Sequence, residues 1–151
     1  MIVQTRFYQL EKDTHCIYAV VIGGWDEETA HQFCVEFKKL AQTFNGQPFA
    51  HLVLLQDFTV GIPAIEPIIQ QLVNQLIEQN LQYVAQVFPP CNYSLSKYQL
   101  DKMTISNQEF EKQAFNNQHE AINWLLQSMA KVAPAWRPKS ALLTKIENKK
   151  T

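Results

Sequence analysis

Residues 16–22, CIYAVVI, followed at once by Gly23-Gly24-Trp25-Asp26-Glu27-Glu28, decide the fold. Seven almost wholly apolar, β-prone residues make a strand with no polar face to offer water, so both of its faces must be covered. The two glycines end the strand, and Asp26 with the two acids behind it opens a helix, since carboxylates are favoured beside free amides and the positive end of the helix dipole. The helix then carries Ala30, Phe33, Cys34, Phe37, Leu40, Ala41 and Phe44 at helical spacing, a stripe that must face a sheet.

Working outward, the strand-helix alternation repeats. Asn45-Gly46 and Pro48 stop the first helix, and residues 50–55 (AHLVLL) form a second strand apolar on both faces. A second helix follows with Ile65, Ile68, Ile69, Leu72, Val73, Leu76 and Ile77 on one side. Because Pro63 and Pro67 cannot both be its first residue, it starts near Pro67 or is kinked there. Residues 81–88 read as a strand, 96–103 as a short helix capped by Ser96, and 109–115 as a further strand. Asn117 with Glu120 resembles a capping box for a last helix bearing Ala121, Ile122, Leu125, Leu126 and Met129. With residues 2–10 as one edge strand, the predicted order is ββαβαβαβα: an α/β domain with a mixed, largely parallel five-stranded sheet and strands 16–22 and 50–55 in its centre.

A chain of 151 residues, 46% hydrophobic and 18% charged, suits one packed domain and is too apolar to be disordered. Residues 1–130 hold 13 acids against 7 bases, while residues 131–151 hold 6 bases against Glu147 alone. The predicted division is therefore a domain over 1–132 and a basic C-terminal tail over 133–151, interrupted by Pro134 and Pro138 and read as a mobile extension. An acidic body with scattered Lys and Arg argues against nucleic acid as a partner. The N-terminal stretch has no signal-like apolar core and no run is long enough for a membrane span, which points to the cytoplasm and to no integral membrane contact.

Cys16, Cys34 and Cys91 are odd in number and far apart, so neither a disulfide framework nor a zinc site is expected. His15, His31, His51 and His119 fall in four different elements without metal-ligand spacing; each reads as a surface or partly buried histidine. Neither phosphate-binding glycine motif is present, so no cofactor is expected. Cys91, after Pro89-Pro90 at a strand end, is the one plausible nucleophile. No histidine can be assigned to it, and a non-enzymatic role is expected. Ligands of open parallel sheets sit beyond the carboxyl ends of the strands, which places Trp25, Asp26, Asp57, Phe58, Thr59, Cys91 and Tyr93 as candidate binding residues.

The Gly24-Trp25-Asp26 turn, the strand at 50–55, the strand Tyr83-Val84-Ala85-Gln86-Val87 and the ending Phe115-x-x-x-x-Glu120-Ala121-x-x-Trp124-Leu125 resemble the small bacterial STAS-like (SpoIIAA-like) domains. The resemblance covers residues 1–130 and implies a protein-interaction or regulatory domain, with a protein partner or a second copy of the chain docking around Trp25, Asp57, Phe58 and Thr59. Anti-sigma-factor antagonists of this kind carry a phosphorylated hydroxyl in an Asp-Ser-Ser-Gly-like loop. The matching loop here, Asp57-Phe58-Thr59-Val60-Gly61, keeps acid, hydroxyl and glycine but interposes Phe58 and Val60. Other relatives resemble Sec14-like lipid carriers in strand order, which implies an apolar pocket for a small ligand or lipid as the alternative.

Overall fold

In the computed structural model, which describes residues 2–58, 61–88 and 110–143, six strands form one sheet in the order β1-β2-β3-β4-β5-β6. In chain order the elements are β1 (Val3–Gln4), β2 (Tyr8–Lys12), β3 (Cys16–Gly23), α1 (Glu27–Gln42), β4 (Phe49–Phe58), α2 (Ile65–Glu78), β5 (Leu81–Val87), β6 (Glu111–Phe115) and α3 (Gln118–Met129). The first three strands pair antiparallel, and β3 to β6 run parallel. The predicted short helix at 96–103 lies outside the described residues.

The apolar runs work as their composition requires. On β3, Ile17, Ala19 and Val21 face one core while Cys16 and Tyr18 face the other. On β4, Val53 and Leu55 oppose Leu52 and Leu54. Helices α1 and α2 cover the first face, because successive right-handed crossovers in one direction return to the same side of the sheet. Helix α3 covers the second. Strands β3 and β4 are the middle pair, as expected of the two runs apolar on both faces.

Local signals set the helix ends. The Asp26 carboxylate accepts from the Thr29 amide at 2.9 Å, a bond that holds its pKa below the ordinary value. Asn117 does the same for the Glu120 amide at 2.9 Å. Helix α2 begins at Ile65, ahead of Pro67. Proline at the third helical position is tolerated there because the first-turn amides have no partner inside the helix.

Two expectations are corrected. Residues 2–10 are not one strand but a tight hairpin, which brings the sheet to six strands. The Thr5 hydroxyl accepts from the amides of Phe7 and Tyr8, both at 3.1 Å, and so turns the backbone where a strand would continue.

Residues 133–143 are not a free extension either. Trp136 is 4% exposed, packed with Ala133 against α3 and the second face of the sheet, and its indole N–H reaches both oxygens of Asp13 at 3.0 and 3.1 Å. Asp13 also accepts from the amides of His15, Cys16 and Lys139 and from the Tyr18 hydroxyl. Burial, then the neighbouring Cys16 and Asp13, push the Tyr18 phenol far up, so it remains a donor. Glu11 accepts from the Ser140 hydroxyl and the Ala141 amide. A basic, proline-broken segment is therefore strapped to the acidic turn between β2 and β3. Residues 144–151 lie outside the described residues.

Candidate functional site

The carboxyl ends of β3 and β4 meet as the parallel topology demands. Ile22 lies beside Asp57 and Gly23 beside Phe58, so the backbone at Trp25, Asp26, Asp57 and Phe58 is gathered at one end of the sheet. Asp26 is exposed and occupied as the α1 cap. Thr59, Cys91 and Tyr93 lie outside the described residues.

Trp25 does not stand on the rim. It is 4% exposed, its ring held between Phe33 at 4.8 Å and Tyr8 at 5.8 Å, and its indole N–H donates to the carbonyls of Phe7 and Ile22, both at 3.2 Å. A large ring with one polar handle is best satisfied this way, apolar face inward and N–H on the backbone.

Gly61 explains how the turn after β3 and the start of the α2 segment come so close. A Cβ there would lie 2.8 Å from the Ile65 side chain and 3.0 Å from the Trp25 carbonyl oxygen. Gly61→Ala must therefore push the Trp25 turn away or displace Ile65. The expected cost is roughly 1 to 3 kcal/mol, the range for overpacking, and a urea unfolding curve overlaying that of the parent would contradict this contact.

Behind Trp25, between the sheet and the α1/α2 pair, is a cavity of about 90 Å³. Among the described residues, its walls are apolar side chains from both layers, Phe33, Phe37, Ile69, Leu72 and Val84 among them, and two polar residues, His51 of β4 and Gln86 of β5. Cys34, on α1, has its thiol pushed up to about 11 by burial, and burial raises the Cys16 thiol well above its ordinary value, so neither is a thiolate at neutral pH. A larger, shallow recess lies between the β2–β3 turn and residues 139–141, but its carboxylates are already engaged by the strap. Among the described residues, no cluster of three or more metal-ligating side chains occurs. Among them, too, no helix is long and apolar enough to cross a membrane.

His51 fixes the electrostatics of the cavity. Its Nδ1 is 2.8 Å from the Ile17 carbonyl oxygen, which can only accept, so Nδ1 carries the proton. Burial drops its pKa from 6.5 to about 4, outweighing the carbonyl, which favours the charged form. The residue keeps some accessible surface, and it borders the cavity. Above pH 6.5 folded and unfolded chains both hold neutral His51 and its contribution is complete; as pH falls from 6.5 toward 4 only the unfolded chain gains the proton, and stability is lost. Urea midpoints measured between pH 7 and pH 4.5 should fall less steeply for His51→Leu than for the parent, and equal slopes would contradict the assignment.

Sequence reasoning placed Trp25 among the candidates but did not find His51 or Gln86. The signal was present: each is a polar residue set inside an otherwise apolar strand, in AHLVLL and in LQYVAQV.

Neither the family models nor the curated proteins contain a match to this chain. Among solved structures, an uncharacterized protein of the DUF3478 family from Shewanella loihica PV-4, described as having a SpoIIAA-like fold, is similar with a TM-score of 0.59. The likeness spans 83% of this chain and 98% of that one at 12% identity. The chain thus has the SpoIIAA-like α/β fold that its sequence resembles.

Proposed function

We propose that this SpoIIAA-like domain acts by binding rather than by chemistry, and that its ligand is a small, mostly apolar molecule held between the sheet and the α1/α2 pair. The observation that carries this reading is the cavity itself. Protein interiors are packed to crystal density, and a void of this size, left empty, costs about 2 kcal/mol. An occupant would recover that cost in the bound state. A larger apolar cavity, of about 150 Å³, takes up benzene.

A protein partner at the strand ends, a second copy of the chain included, is the alternative. It retains the exposed Ile62 as an apolar contact but loses Trp25, whose ring belongs to the core. Titration with benzene separates the two. A saturable rise in melting temperature is expected in the parent and not in Val84→Phe, which fills the space. A parent protein whose melting is indifferent to benzene and to phenol alike would remove the ligand reading.

A further inference from the structure

We infer that the cavity is built for a compact neutral molecule bearing one hydroxyl, a phenol or small cyclic alcohol, whose O–H is received by His51 Nε2. This rests on the reading of the cavity as a ligand site and specifies its chemistry.

With Nδ1–H committed to the Ile17 carbonyl, Nε2 of the neutral ring is a pure acceptor. No partner for it occurs among the described residues. The buried side-chain polar atoms that are both sealed off and unpartnered there are Tyr8 Oη, Glu36 Oε2 and Gln79 Oε1. Nε2 is not one of them, so it reaches open space, and the open space this ring borders is the cavity.

Gln86 adds a second polar group. His51 pairs with Val84 and Val53 with Gln86, which sets Gln86 one diagonal step from His51 on the neighbouring strand, lining the same cavity. It is 3% exposed. Its amide can donate to the oxygen of the hydroxyl whose proton His51 accepts. Among the described residues the rest of the wall is hydrocarbon and aromatic, and no Lys, Arg, Asp or Glu of theirs lines it. An ionised ligand would be desolvated there without a counter-charge from them and is disfavoured. A hydrocarbon fits the wall but leaves both polar groups unpaired, a penalty that sites built around a hydroxyl turn into selectivity.

The test uses phenol and benzene, which differ by the one group at issue. Binding of each is measured by titration of the full chain, with the ¹⁵N shift of His51 Nε2 followed in parallel. Phenol should bind at least tenfold more tightly than benzene, the Nε2 resonance should move with phenol and stay with benzene, and His51→Leu should erase the preference while keeping benzene. Equal affinities, or an Nε2 resonance unmoved by bound phenol, would overturn the hydroxyl assignment while leaving an apolar cavity site standing. Binding of neither would overturn the underlying reading and this one with it. Should His51→Leu fail to fold, the Nε2 shift of the parent decides alone.

Discussion

Truncation after Ala133 should destabilise the protein by roughly 3 to 5 kcal/mol, the cost of removing a large buried aromatic, with a fall in melting temperature on the order of 10 °C for a domain of this length. The loss has two parts. Trp136 leaves a hole over α3 and the second face of the sheet. Asp13 also loses the indole N–H and the Lys139 amide but keeps the His15 and Cys16 amides and the Tyr18 hydroxyl, so this part is the smaller of the two. Trp136→Phe separates the parts, because it keeps most of the apolar area and deletes only the N–H. If the truncated chain melted with the parent, the strap would not be structural.

Leu125→Ala should cost about 2 to 5 kcal/mol, the range for a large buried aliphatic. Leu125 is 1% exposed and sits on the inner face of α3 with Ala121 and Met129, against the side of the sheet that carries Tyr83 and Ala85. Its neighbour Trp124 is only partly buried, packed on the rings of Tyr83 and Phe115 at 5.9 and 5.7 Å. Trp124→Ala should therefore cost less than Leu125→Ala. A near-neutral shift for Leu125→Ala in calorimetry would mean that α3 is held by something other than this face.

What could be read from the sequence divides along the range of the interaction. Both-face burial of β3 and β4, the apolar stripe of α1 and the caps at Asp26 and Asn117 depend on residues within a turn or a strand of one another, and their periodicity announces them. Long-range partners leave no such trace. Trp136 lies in a basic, proline-flanked segment whose few aliphatic residues suggested little burial, and its anchor is Asp13, 123 positions away in a turn. The hairpin at Thr5 escaped because one hydroxyl outweighed a plausible strand pattern.

The site divides the same way. The parallel topology brings Asp57 and Phe58 alongside the end of β3, as strand order required. Its position after a strand end marks Trp25 in the sequence as a binding residue. It is core because the β1/β2 hairpin supplies Tyr8, and α1 Phe33, on either side of its ring. The cavity had no sequence signature, since a void is the difference between two layers of side chains and not a property of either. Only its polar residues, His51 and Gln86, stood out as interruptions in apolar strands.

Whether the space between the sheet and the α1/α2 pair is a ligand site can be decided by a crystal structure of the full chain under xenon pressure. Density for xenon, or for a molecule carried through purification, is expected there, bounded by Phe33, Leu72, Val84 and His51. Those side chains packed against one another, with no density between them, would contradict the ligand reading.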